Sequence, residues 1–479
     1  MLATSLLLSA ALGASIETAA VEPVLVVWRE QAELGDMADL RGDARALAAW
    51  ERLQEVATKQ HAQAEQLART HDGRVLRHYT VVNASLMQLP PSARQALRAD
   101  ASVAAVVADR SFKLQLPDTE AVPATLTPQA VEASLTLIKA PEVWALGHLG
   151  QGITVASADT GVQWNHPALI SQYRGNQGGS VTHAYHWHDA VHATGSSCGA
   201  DSAVPCDDNS HGSHTVGTMV GLDGVNQIGV APQARWIGCR NMNAGDGSPS
   251  TYLECMDFFL APTDASGQNP QPLLAPHVIN NSWGCPPSEG CTPEQSALLE
   301  TAVNTLRAAG ILFVAAAGNS GSACSSITDP PAYFAGSLTV ANARIDNTMN
   351  ASSSRGPITV DGSGRMKPDL SAPGTSIRSS LNNGGYGNKT GTSMAAPHIA
   401  GVAALVMSAE PFYQRNPEAL ELLLTQAVVP MTLTQTCGGI APSVYPNPVA
   451  GYGRIDALRA IELIPSPLLS DGFEGEGIR

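Results

Sequence analysis

The first 197 residues hold no cysteine, although the 479-residue chain carries eight. Charge is sparse. Charged residues make up 14%, and the 27 Lys plus Arg are outnumbered by 42 Asp plus Glu, for a formal net charge of −15. That deficit of positive charge argues against nucleic acid and against anionic membrane surfaces as partners. Long apolar runs are lacking too: none approaches the roughly 20 residues of a membrane span, so no membrane partner is expected. The opening stretch from Met1 to Ala14 is apolar but short, and Thr18-Ala19-Ala20 follows it. It reads as a signal peptide over residues 1–20, without the usual Lys or Arg ahead of the apolar run. With 44% hydrophobic residues over 479 positions, the chain reads as globular, in two or three folded units.

The eight cysteines are Cys198, Cys206, Cys239, Cys255, Cys285, Cys291, Cys324 and Cys437. An even count with two close pairs, Cys198/Cys206 and Cys285/Cys291, points to disulfides and an oxidising compartment. Cys239/Cys255 and Cys324/Cys437 are then left as pairs by default. Zinc is disfavoured, because no Cys-x-x-Cys spacing occurs.

One stretch organises the rest: Gly391-Thr392-Ser393-Met394-Ala395-Ala396-Pro397-His398, running into an apolar small-residue helix. Alone, Gly-Thr-Ser reads as a helix N-cap. A serine at a helix N-terminus also sits in a positive field that suits an oxyanion, and it needs a base and an orienting carboxylate to act as a nucleophile. Proline is expected within the first turn, where its missing N–H costs nothing. Two further segments supply partners. Ile153 to Val162 is an apolar strand ending in Asp159-Thr160-Gly161. Asp208-Asn209-Ser210-His211-Gly212-Ser213-His214 starts a small-residue helix.

With Asp, His and Ser in that order, the chain resembles the subtilisin-like serine proteases (subtilases) over roughly residues 130–460. Arg235 to Pro287, with its insert and Asn280-Asn281-Ser282-Trp283-Gly284, looks closest to the bacillopeptidase F-like branch. The resemblance implies Asp159, His211 and Ser393 as catalytic triad, with His211 preferred to His214 by match to the family's His-Gly-x-His run. Within Ala315-Ala316-Ala317-Gly318-Asn319-Ser320-Gly321 it implies Asn319 as oxyanion donor. Ser282, Trp283 and Gly284 take the place of the substrate-binding strand edge. Asp329 falls in the primary specificity pocket, where it either favours a basic residue or acts as a local cap before Pro330. Catalysis of this kind requires no cofactor. The short loop at residues 222–230 puts the family's strong calcium site in doubt, while structural calcium elsewhere stays open and any metal ligands are unknown.

The fold expected is α/β: a subtilisin-like three-layer α/β/α arrangement with a mostly parallel, doubly wound sheet. Strands are predicted at 153–158, 234–239, 276–281, 311–316 and 337–343. A lead-in helix is predicted at 135–149. Four histidines, His183, His186, His188 and His192, read as part of a solvated surface insertion. Before them, strand and helix patterns run βαββαβ over residues 23–115, a small ferredoxin-like α+β order. In a subtilase such a unit is the inhibitory propeptide. The expected organisation is therefore signal peptide 1–20, propeptide 21–116, linker with the processing site 117–133, catalytic domain 134–464, and C-terminal tail 465–479. The expectation is a secreted, self-processing serine endopeptidase, extracellular or periplasmic by bacterial-type export. It acts on protein or peptide substrates as a monomer, with its own propeptide as inhibitor. The rival expectation, a silent binding module, predicts loss of a triad member, and none is lost.

Overall fold

A computed structural model describes residues 22–114, 116–120, 131–287 and 290–465. The expected signal peptide, most of the linker and nearly all of the tail lie outside the described residues.

The N-terminal elements are β1 (Pro23–Trp28), α1 (Gly42–Thr70), β2 (Arg74–Tyr79), β3 (Ala84–Gln88), α2 (Pro91–Arg98) and β4 (Val103–Ala108). Their sheet has the order β2-β3-β1-β4, and β1 is antiparallel to both neighbours. Successive side chains on a strand face opposite ways. Val24 and Val26 accordingly pack with Ala64, Ala68 and Leu97 of this unit's own helices. Leu25 and Val107 face the other way and share a core with Tyr252, Phe259 and Leu299 from later in the chain. The larger body is thus the second layer of this sheet.

A two-residue strand, β5 (Phe112–Lys113), leads out of the unit. The body then runs through α3 (Ala133–Leu137), α4 (Ala140–Ala145), β6 (Thr154–Asp159), β7 (Trp187–Asp189), α5 (His211–Val220), β8 (Arg235–Arg240), β9 (Met242–Asn243), β10 (Asp246–Gly247), α6 (Pro249–Leu260), β11 (Val278–Asn281), α7 (Pro293–Ala308), β12 (Leu312–Ala316), β13 (Leu338–Ala343), β14 (Leu370–Pro373), β15 (Ile377–Ser380), β16 (Tyr386–Lys389), α8 (Thr392–Ala409), α9 (Pro417–Gln426), β17 (Val428–Val429), β18 (Arg454–Ile455) and α10 (Ala457–Glu462).

Nine strands form the central sheet, in the order β17-β18-β14-β13-β12-β11-β6-β8-β7, parallel except for the β17–β18 edge pair. Val155, Val278, Leu312 and Val314 bury against α5 and α8 on one face. Ala156, Ile279, Phe313 and Ala315 bury against α6 and α7 on the other. Burial on both faces is why β12 is apolar at every position, and why β6 and β11 carry apolar side chains on both faces rather than on one. The result is the three-layer α/β/α arrangement expected.

Three expectations need correction. The lead-in helix is two short helices, because Lys139 adopts φ 59° between them. The histidine-rich segment is not a solvated loop: residues 187–189 pair with β8 as the sheet's edge strand. Within it, His188 Nε2 and His192 Nε2 lie 2.7 and 2.9 Å from the two oxygens of buried Glu254. Finally, α8 is itself long and apolar enough to cross a membrane by length and composition. It is instead a core helix, 89% buried in this fold.

All eight cysteines are paired: Cys198–Cys206, Cys239–Cys255, Cys285–Cys291 and Cys324–Cys437. All four bonds lie in the body, and the last closes a separation of 113 residues.

Candidate active site

In open parallel sheets the carboxyl ends of the strands gather functional groups. Here Asp159 ends β6, Ser282 follows β11, and Asn319 lies just past β12, three neighbouring strands. Facing them is the start of α8. Its second residue, Ser393, is 4% exposed, and the first-turn N–H groups have no helical acceptor.

Pro397 is not in the first turn, contrary to expectation. It is the sixth residue of α8 and removes the N–H that would bond the Ser393 carbonyl four positions back. The Ser282 hydroxyl donates to that carbonyl instead, at 3.0 Å. In return the Ser393 hydroxyl donates to the Ser282 carbonyl at 3.2 Å. The proline thus creates a vacancy that ties the serine's backbone to the end of β11.

Asn319 is oriented by the same helix end. Its Oδ1 accepts from the Thr392 N–H at 2.9 Å and from the Thr392 hydroxyl at 3.2 Å. With its oxygen committed, the amide nitrogen is the group left for the cavity that Asn319 lines. Gly318, with φ 97°, makes the preceding turn.

The third part is the Asp159–His211 pair. Asp159 Oδ1 accepts from His211 Nδ1 at 2.7 Å and from the Thr160 N–H at 2.7 Å. The pair is at most 1% exposed. His211 Nε2 has no hydrogen-bond partner among the described residues. The structure therefore joins Asp159 to His211 and points Ser393 at Ser282; in this rotamer no serine–histidine hydrogen bond forms. Such bonds often tighten only when substrate is present. His214 is spent elsewhere. Its Nε2 lies 2.9 Å from the Ile377 carbonyl, and burial lowers its pKa to about 3, so it stays neutral.

Sequence reading missed Asp207. Fully buried, it accepts from the N–H groups of Asn209, Ser210 and Ser213 at 3.0, 2.8 and 2.9 Å, and from the Ser213 hydroxyl at 2.6 Å. It also accepts from the Thr160 hydroxyl at 2.8 Å, and Thr160 in turn accepts from the Gly212 N–H. One carboxylate so binds the end of β6 to the start of α5, setting Asp159 against His211. The available signal was an acid just ahead of a helix start. The approach is close enough that a Cβ on Gly212 would meet the Gly161 carbonyl oxygen at 2.1 Å.

Ser393, Asn319, Ser282, Trp283, Gly284, Thr328 and Asp329 border a cavity of about 420 Å³. The Trp283 ring is stacked on Tyr252, with centroids 4.0 Å apart. The Asp329 carboxylate lies between Gly284 and Gly318, whose missing side chains leave it room. It accepts from the Thr328 hydroxyl at 2.9 Å, and burial raises its pKa. No cation pairs with it among the described residues.

The N-terminal unit sends its own chain across this cavity. Lys113 pairs with Asp246 and Phe112 with Gly247, antiparallel. The Leu114 N–H donates to the Gly245 carbonyl at 3.1 Å. Leu114 and Leu116 both line the cavity. Beyond it, the Pro117 carbonyl accepts from Lys389 Nζ at 2.8 Å and the Glu120 N–H donates to the Asn388 carbonyl at 2.8 Å. The expected boundary at residues 116/117 falls within this crossing.

A serine and an amide at a helix N-terminus, with a buried pair made by an aspartate at a strand end and a histidine at a helix start, are the elements of serine hydrolase chemistry. Comparison with known proteins narrows the class. A model of the subtilase family matches residues 150–453. Bacillopeptidase F of Bacillus subtilis (strain 168) is 38% identical over 352 residues, covering 71% of this chain and 22% of that protein. Subtilisin E of the same organism is 31% identical over 342 residues, covering 71% and 74%. Subtilisin J of Geobacillus stearothermophilus matches to the same extent. The chain belongs to the subtilase family, a family of serine-type endopeptidases.

Proposed function

We propose that this chain is exported as a precursor, trims itself, and then hydrolyses peptide bonds in proteins. Ser393 Oγ attacks the peptide carbonyl carbon while His211 Nε2 takes its proton. Asp159 accepts from His211 Nδ1, holds the tautomer and stabilises the imidazolium without becoming protonated. The oxyanion is bound by the Asn319 amide and the Ser393 N–H, donors that favour charge only as it develops. Collapse returns the proton to the leaving amine and leaves an acyl-enzyme. Water, activated by His211, then releases the acid and restores Ser393.

The observation that carries this reading is the buried 2.7 Å Asp159–His211 bond at the carboxyl end of the sheet whose neighbouring strand ends carry Ser282 and Asn319. The Ser282–Gly284 edge is assigned to the substrate backbone, and uncompensated Asp329 to a basic side chain ahead of the scissile bond. The crossing of residues 112–114 and 116, with 117–120 held beyond it, supports the N-terminal unit as inhibitor, with the self-processed bond between residues 114 and 117. The cysteine pairing and the apolar N-terminus support export to an oxidising compartment.

Intact mass of the purified protein beside its Ser393→Ala form tests the reading. The wild type should lose about the first 115 residues, and the variant should keep residues 21–116 or hold them unclipped. Identical trimming of both forms would remove self-processing from the account, and absence of trimming in both would remove the propeptide assignment.

A further inference from the structure

Residues 117–120 follow the crossing, so they occupy the side of the cleft from which a leaving group departs. Their contacts there are specific. Glu120 Oε2 accepts from the Ser376 hydroxyl at 2.7 Å, and its Oε1 accepts from the Thr390 hydroxyl. Each hydroxyl accepts one bond from another partner and gives its hydrogen to Glu120. Ser376 Oγ accepts from Asn388 Nδ2 at 2.9 Å, and Thr390 Oγ1 accepts from the Ser376 N–H at 2.7 Å. The Asn388 carbonyl holds the Glu120 backbone.

One residue nearer Ser393, Lys389 is 2% exposed, and the Pro117 carbonyl is the acceptor of its ammonium. Burial pulls the Lys389 pKa down, while Asp207, Asp159 and Asp118 favour its charged form. Asp118 is thus within the reach of that charge. Each Glu120 oxygen faces one hydroxyl, and in the same pose an amide would turn its nitrogen toward one of them. Charged acceptors also form the stronger bonds.

From this geometry we propose that the β15–β16 hairpin is a leaving-side subsite selective for an acidic side chain. Ser376 and Thr390 are its donors, and Lys389 holds the backbone between that subsite and Ser393. The subsite lies four residues beyond Leu116, and Glu120 of the precursor is its built-in occupant. The inference rests on the reading of Ser393 as nucleophile. It adds a substrate class to it: chains with an acid on the leaving side of the cleaved bond.

Two fluorogenic peptides test it, one copying residues 110–123 and one identical except for Gln at the position of Glu120. The protein is the trimmed form, freed of residues 1–116, and carries Glu120→Ala, so that no built-in acid competes for Ser376 and Thr390. The acidic peptide should be cleaved with a kcat/KM about tenfold higher, as a charge-assisted hydrogen-bond pair allows. Ser376→Ala and Thr390→Val should each shrink that ratio toward one. Continued cleavage of the Gln peptide by these variants separates a lost subsite from a lost fold. Equal rates for the two peptides on a protein that cleaves both would overturn the subsite and leave the nucleophile standing. Cleavage of neither peptide would overturn the nucleophile reading, and the subsite with it.

Discussion

Residues 22–114 and residues 131–465 each build a sheet from small and β-branched residues, yet they are secured in different ways. The body buries its sheet on both faces and adds four disulfides. The N-terminal unit has no disulfide, covers one sheet face with its own helices and lends the other to α6 and α7 of the body. What fastens it there is polar. Arg45 is 1% exposed, forks onto Glu418 at 2.8 and 3.0 Å, and donates to the carbonyls of Arg307 and Ala308 at the end of α7. Asp257 of α6 accepts from the N–H groups of Thr80 and Val81 at 2.8 and 2.6 Å. The Ser250 N–H and hydroxyl donate to Asp109 at 3.0 and 2.6 Å. A region held by covalent cross-links and two-sided burial persists alone, whereas one held through a borrowed face and a few polar clamps depends on its partner.

The largest effect should come from removing the covalent term. Replacing Cys324 and Cys437 by serine frees a loop of 113 residues, a loss of about 4–5 kcal/mol in the chain-entropy account. Thermal unfolding should show the body's transition falling by many degrees while that of the N-terminal unit is not directly weakened. A shift in both together would mean that the two regions unfold as one.

Asn319→Ala should cost the body about 1 kcal/mol through the lost Thr392 bonds and lower kcat a hundredfold or more. That corresponds to about 2.7–4 kcal/mol, the size measured for this kind of donor in subtilisin itself. Steady-state kinetics beside a melting curve checks it, and a parallel rise in KM would point to substrate binding instead.

Arg45→Ala removes charged bonds to two helix-end carbonyls, a loss of about 1–3 kcal/mol. Part of the Glu418 share is discounted, because that carboxylate is 41% exposed. Hydrogen exchange should then rise over residues 42–70 and at the end of α7, with the central sheet protected as before.

The smallest effect is pH-dependent. Burial pushes the Asp257 carboxyl up to about 6, with the Val81 and Thr80 N–H groups opposing. A raised acid pKa in the docked state means docking is strongest below the ordinary 3.8 and weakens as pH rises through about 6. Retention of the trimmed unit, followed by size exclusion, should fall about tenfold between pH 5 and pH 8. Asp257→Asn should flatten that change, and an unaltered slope would assign it to other groups.

Much of this was legible in the chain because its signals are local. The predicted strands at 153–158 and 311–316 lie within a residue of β6 and β12, since strands buried on both faces are rich in small and apolar residues along their length. The cysteines paired as their spacing suggested. Where the reading slipped, the missing information was distant. Lys139 breaks a helix whose periodicity runs straight through it. Residues 187–189 become a strand because an edge position beside β8 was open to them. Pro397 was placed a turn too early because the helix start depends on Asn319, 73 residues away, which takes the Thr392 N–H.

The sequence by itself singled out the side chains to which the chemistry is proposed to belong. Asp159, His211, Asn319 and Ser393 each sit in a short run whose strand end, turn or helix start can be read from a few neighbours. Only the tertiary structure decided how they are held. The Ser282–Ser393 exchange spans 111 residues, the Asp207 clamp reaches back 47 to Thr160, and the Lys389–Pro117 contact spans 272. Contacts at such separations leave no periodic trace in the chain. They exist only once the parallel sheet has brought its carboxyl ends together.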